Sequence, residues 1–193
     1  MQLNPLYKQD LHIHTVFSAG DSAVVKEQTI ELVSKVNHAV IIGISDHFES
    51  VAGENFTTYA KEVRSHNFKL GTEIDGHRRV DEAIEYPFDY FIIHCWDQAK
   101  DYKATSKLLL TGKPVIIAHP NAIGTNLYNV PEECLIEINN RYVYRYEWKN
   151  YFTNFKTKFR FVLSSDAHQP NWLNQNVSRY VANELGIEET ILF

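Results

Sequence analysis

Short apolar runs rich in β-branched residues recur along this chain, and six of them stop at a histidine or a carboxylate. They are Gln9-Asp10-Leu11-His12-Ile13-His14, the run from Val40 to Asp46-His47, Phe68 to Glu73, Tyr90 to His94, Val115 to His119, and Phe161 to Asp166-Ala167-His168. Unbroken apolar runs of this kind read as strands buried on both faces. The pattern predicts strands over 9–14, 39–45, 69–74, 89–94, 114–118, 134–138 and 160–165. Between them the spacing changes to that of helices. Ile30, Val33 and Val36 mark a helix over 27–37 with its stop at Asn37. Further helices are predicted over 57–65, 80–86, 99–111 (ended by Gly112, with Pro114 beyond) and 172–185 (ended by Gly186), while 120–133 reads as loop.

About seven strands alternating with helical segments argue for an α/β fold with parallel strands. An open doubly wound sheet gathers its site at one switch point, so only a few strand ends contribute. A barrel brings every C-terminal strand end to one mouth. Ligand-type residues after nearly every strand favour the barrel. A full eight-fold barrel needs ~250 residues, so a chain of 193 residues implies a trimmed or distorted one.

The composition adds bounds. The length suits one domain, 1–193, with a sizeable core. A net charge of −5 lacks the basic face expected of a protein that binds long nucleic acid. Small phosphorylated substrates stay open, because bound cations can supply positive field locally. Two cysteines, Cys95 and Cys134, make no disulfide framework. With no signal-type N-terminus and no apolar stretch of membrane-spanning length, the expectation is a cytoplasmic protein without a membrane partner. The sequence says nothing of oligomeric state.

The candidate ligands are His12, His14, Asp21, His47, Glu73, His94, His119, Asp166 and His168. Asp10, His12 and His14 alternate by two, so on a strand they share a face, and Asp10 is expected to orient an imidazole. Imidazoles mixed with carboxylates suit zinc, manganese or iron. Nine ligands are too many for one four-coordinate ion, whereas two or three divalent ions sharing bridging carboxylates can use them. His38, His66 and His77 fall outside the pattern and are expected to be exposed or capping. Cys95 should point away from His94 and pack. The aromatic stretch from Tyr142 to Trp148 is expected to pack on the outside of the barrel.

Asp10-Leu11-His12-Ile13-His14-Thr15 with Ser18 and Asp21 resembles the first motif of the PHP (polymerase and histidinol phosphatase) family. Ile44-Ser45-Asp46-His47, Gly71-Thr72-Glu73-Ile74, Ile117-Ala118-His119-Pro120, Glu137-Ile138-Asn139-Asn140 and Ser164-Ser165-Asp166-Ala167-His168 resemble its later motifs, in order. The resemblance implies a distorted (β/α)7 TIM-like barrel with up to three metal ions at the C-terminal strand ends. One ion would sit among His12, His14, Glu73 and Asp166. A second would take Glu73, His94 and His119, and a third Asp21, His47 and His168, with Glu73 bridging. Asp21 is the weakest match, since some relatives carry a histidine near this point.

The expected chemistry is hydrolysis of a small phosphomonoester, of histidinol phosphate or nucleotide type, by in-line attack of a metal-bound hydroxide held by Glu73, His94 and Asp166. Arg78, Arg79 and Arg141 follow strands and are expected at the mouth, where arginine suits phosphate. Two alternatives compete. An amidohydrolase-type barrel also begins with H-x-H but usually carries a lysine after its fourth strand, where this chain has His94-Cys95-Trp96. A non-catalytic metal-binding accessory module would be expected to have lost ligands, and all nine positions are filled.

Overall fold

Seven parallel strands pair in chain order: β1 (Tyr7–Asp10), β2 (Ala39–Ile44), β3 (Lys69–Asp75), β4 (Tyr90–His94), β5 (Val115–Ile117), β6 (Leu135–Asn139) and β7 (Arg160–Ser164). They belong to a computed structural model that describes residues 6–193. Beyond the ends of β1 and β7, Ile13 bridges Ala167 in parallel, and the His14 N–H donates to the Ala167 carbonyl at 2.9 Å. The ring of strands is therefore nearly closed, and with helices alternating around it the fold is an α/β barrel.

The helices are α1 (Ile30–Val36), α2 (Phe48–Val51), α3 (Phe56–Ser65), α4 (Val80–Ala83), α5 (Ala99–Leu109), α6 (Pro120–Ile123), α7 (Lys149–Thr153) and α8 (Asn176–Leu185). Four of them are one-turn pieces or little more, which is how the chain is trimmed. Local chemistry sets the longer ones. The Thr29 hydroxyl accepts from the Leu32 N–H to cap α1, and Asn37 ends it in the left-handed conformation. Gly186, at φ 65°, ends α8, and the Ile187 N–H turns back to Ala182. Among the described residues no helix is long and apolar enough to cross a membrane.

Strand alternation divides the core in two. Leu11, Tyr90, Ile92, Ile116, Ala118, Leu135 and Val162, drawn from five strands or their ends, form a small cluster inside the barrel. Their neighbours Phe91, Ile93, Ile117, Ile136 and Leu163 face outward to Val63, Leu108, Val181 and other helix residues. Tyr90 fills the interior and donates to the Leu11 carbonyl at 2.6 Å. Gly43 and Gly71 make the room: a Cβ at either would overlap the Tyr90 ring. At the opposite end from the ligands, Leu192 joins this inner cluster, and its N–H donates to Gln9 Oε1 at 3.2 Å.

Four expectations need correction. The β1 ladder stops at Asp10 rather than running to His14, and the alternation breaks there. Leu11 lies in the inner cluster, yet Ile13 lies in the outer one. Asp10 consequently does not share a face with His12 and His14. It turns to His38 Nε2 at 2.8 Å, so His38 is a buried, paired histidine and not an exposed one. The segment 120–133 includes α6, and α2 and α7 escaped the pattern because four or five residues are too few to show helical periodicity. His66 does sit at the C-terminal cap of α3. Cys95 is buried in the outer core, as expected from its parity against His94.

Candidate metal centre

All nine predicted ligand residues meet at the C-terminal ends of the strands, around Glu73. Glu73 leaves β3 on the inward face, two residues above Gly71, and its side chain is 2% exposed. Its Oε1 lies 2.8 Å from His94 Nε2, 3.1 Å from His12 Nε2 and 3.6 Å from His119 Nε2. Its Oε2 lies 3.2 Å from His14 Nε2 and 3.3 Å from His47 Nδ1. Asp166 Oδ1 is 3.8 Å from both His12 and His14. Asp21 Oδ2 lies 3.2 Å from His47 Nε2 and 3.0 Å from His168 Nε2. The weakest sequence match thus reaches the cluster from a loop.

Three sets of ligand atoms are close enough to share an ion: His12, His14 and Glu73; Glu73, His94 and His119; and His14, His47 and His168. Two features of the bare protein fit a cation. Glu73 Oε1 is buried with three imidazole nitrogens within 3.6 Å, but makes no hydrogen bond of good geometry to any of them. Imidazole nitrogens also face each other at 3.1 Å, His12 against His14 and His94 against His119. Lone pairs turned toward one point are what a metal ion uses.

Neighbouring groups fix the rings. Glu137, on the inward face of β6, places Oε1 2.7 Å from His12 Nδ1, while its Oε2 accepts the His119 N–H at 2.6 Å. Asn139 donates to Glu137 and to Asp166 Oδ2, both at 3.0 Å. Ser18 Oγ sits 3.1 Å from His14 Nδ1 and donates to Asp46 at 2.6 Å. Asp75 Oδ1 lies 3.2 Å from His94 Nδ1. Imidazoles that ligate metals are usually oriented in this way by carboxylates or hydroxyls on the far nitrogen. Sequence reasoning gave Glu137, Asp75 and Asp46 no role. Glu137 carried a legible signal, since it ends the apolar Cys134-Leu135-Ile136 just as Glu73 ends its own run.

His119 and Asp166 adopt φ of 24° and 53°, in the left-handed region that non-glycine residues seldom enter. Such backbone costs of order 1–3 kcal/mol and concentrates at functional sites. Here it turns two side chains toward the cluster immediately after β5 and β7.

The charges are interlocked. Burial pushes His12 down, but Glu137, Glu73 and Asp166 together raise it well above its usual range. Burial likewise opposes protonation of His94, yet Glu73 and Asp75 raise it to about 10. For His14 burial wins, and the ring is held well below its usual range. Burial would raise Glu73, but His94 and His12 hold it far down. The imidazoles of His94 and His12 are thus what offsets the burial of the Glu73 carboxylate.

Over the cluster opens a cavity of about 440 Å³, walled by the ligands other than His12 and His14 and by Trp96, Ala122, Ile123, Arg141, Tyr142 and Tyr146. Among the described residues no serine, threonine or cysteine lines it. The three arginines all lie mouth-side but differ in use. Arg141 stacks between Tyr142 and Trp172, 4.8 and 5.0 Å from their ring centres, with Nη1 3.2 Å from His168 and 3.7 Å from Asp166. Arg79 is engaged by Glu82 at 2.7 Å and lies over Phe48. Arg78 is exposed on the wall of an adjoining groove. The aromatic stretch divides as well. Tyr142 and Tyr146 line the cavity, whereas Trp148 packs against the outer core. No family model matches this chain, and no curated protein matches it.

Proposed function

We propose that this protein is a metal-dependent phosphoesterase of the PHP type, a TIM-like barrel that hydrolyses a small phosphomonoester. The observation that carries the reading is the convergence of six imidazoles and the Asp21 and Asp166 carboxylates around Glu73, whose Oε1 lacks a hydrogen bond, beneath an open cavity with an arginine on its wall. His12, His14, Glu73 and Asp166 would hold one ion, Glu73, His94 and His119 a second, and Asp21, His47 and His168 a third. This donor set suits zinc, manganese or iron. Divalent ions held there would bind the phosphate oxygens, make a water nucleophilic at neutral pH and stabilise charge on the leaving oxygen.

The rest of the chemistry falls to the chain. The absence of serine, threonine and cysteine from the cavity wall favours direct attack by water on phosphorus over a covalent enzyme intermediate. Arg141 is held rigid between two rings, so its guanidinium is preorganised to neutralise charge that builds on the phosphoryl oxygens. Glu137, Asp75 and Ser18 keep His12, His94 and His14 in the tautomers that turn Nε2 inward. The test is hydrolysis of an aryl phosphate by manganese-loaded protein. Turnover should vanish with a chelator and in His94→Ala, and fall roughly 100-fold or more in Arg141→Ala. A metallated protein inert to every phosphate ester would remove this reading.

A further inference from the structure

Beside the cavity over the cluster lies a second, larger groove of about 720 Å³. The two share Asp21, His47, His94 and Trp96 as a common wall. Trp96 is the one large aromatic in that wall, and it is 45% exposed. Single exposed aromatics are ordinary on protein surfaces, but this one is built into place. Its Nε1–H donates to Asp75 Oδ1 at 2.7 Å, and its backbone N–H donates to Asp101 Oδ2 at 3.0 Å. Asp101 is itself 1% exposed and tied to His77 at 2.7 Å. The facing turn closes on the indole through Gly76, at φ 67°, where a Cβ would lie 3.5 Å from Trp96 Cδ1 and 3.3 Å from Asp101. On the other side Asp97 sits at φ 55° and accepts from the Tyr102 hydroxyl. His94 packs edge-on against the ring, 5.7 Å between centres.

An exposed tryptophan fixed through its indole N–H and its backbone N–H, on the ridge between two cavities and against a ligand of the candidate metal centre, is a preorganised platform. Rigid aromatic surface binds a flat partner at low entropic cost. The geometry points to Trp96 as the residue that selects the substrate: a phosphomonoester whose leaving alcohol carries a planar aryl or heteroaryl ring. With the phosphate over Glu73, the ring stacks on Trp96 and the remainder of the leaving group runs into the second groove. This rests on the phosphoesterase reading above.

The test compares 2-phenylethyl phosphate with 2-cyclohexylethyl phosphate. Both release a primary alcohol of similar acidity and size, so they differ chiefly in the planar π-face. With manganese-loaded protein, kcat/KM should favour the phenyl ester about fivefold, the scale of an aromatic pair. The preference should disappear in Trp96→Ala. It should persist in Trp96→Phe, which keeps a ring and loses the N–H. A purely structural role for Trp96 would instead lower both esters equally. The matching pair of non-hydrolysable phosphonates, titrated by calorimetry, gives a readout independent of turnover and should show the same ratio. Equal kcat/KM for the two esters in wild type, or a preference surviving in Trp96→Ala, overturns the inference and leaves the phosphoesterase reading standing. If these esters and every other phosphate ester tested resist hydrolysis but the phosphonates discriminate through Trp96, the ring subsite stands and the phosphoesterase reading falls. If the protein binds none of the four and hydrolyses no phosphate ester, both fall.

Discussion

Glu137 shows how much a residue outside the ligand set can control. It is fully buried, faces His12 with one oxygen and accepts the His119 backbone N–H with the other, so one carboxylate positions ligands from two strands. Replacing such an orienting partner typically costs 10–100-fold in metal affinity. Glu137→Gln should keep the fold and weaken manganese binding by roughly that factor, read by calorimetric titration. Unchanged affinity would show that the His12 ring is held by other means. Apart from Asp21, which lies in a loop and was found through the motif resemblance, the histidines and carboxylates of the cluster were legible in the sequence because each ends a recognisable apolar run. Asp75 was not, because it lies one step past Glu73 on the same face and looks like an ordinary loop acid until His94 is seen beside it.

At the scale of elements, the strands were legible, and of the one-turn helices only α4, expected over 80–86, was. β2 to β7 came through because a buried parallel strand writes itself as an unbroken apolar run, whatever surrounds it. Alternation failed at β1, where the parity break after Asp10 sends Leu11 inward and Ile13 outward, an event no single-strand pattern contains. The barrel interior depends on a similar non-local fit, Tyr90 against Gly43 and Gly71. Gly71→Ala should destabilise the fold by roughly 1–3 kcal/mol through overpacking, seen as a lower urea midpoint. The penalty should shrink in a Tyr90→Leu background, and a penalty of the same size there would mean that the ring is not the cause. The start of β4 is tied down by charge. Asp89 accepts from both Arg64 guanidinium nitrogens, at 2.6 and 2.7 Å, and from the Leu70 N–H at 2.8 Å, joining α3, β3 and β4. Partial burial works against the ionised form, but Arg64 and that N–H hold the carboxyl below its ordinary 3.8. A depressed carboxyl stabilises fully above its unfolded value and loses that contribution as pH falls through the folded one. Asp89→Asn should therefore cost stability at neutral pH and flatten the acid limb below about 3.8, followed by thermal unfolding against pH. An acid limb identical to wild type would exclude Asp89 as a source of it.

For the molecule as a whole, fold and site are one arrangement. A nearly closed ring brings all strand ends together, and the groups that converge there repel or crowd one another without a cation. Metal that binds the folded state and not the unfolded chain stabilises by about 2.7 kcal/mol at a hundredfold excess over Kd. For a chain of this size that raises Tm by roughly 5–10 °C, and a chelator should reverse the gain. The most direct test of the central claim is an anomalous difference map from manganese-loaded crystals. Two or three peaks are expected: one among His12, His14, Glu73 and Asp166, one among Glu73, His94 and His119, and one among Asp21, His47 and His168. At least two of them should border Glu73. A map without a peak beside Glu73 would contradict the account.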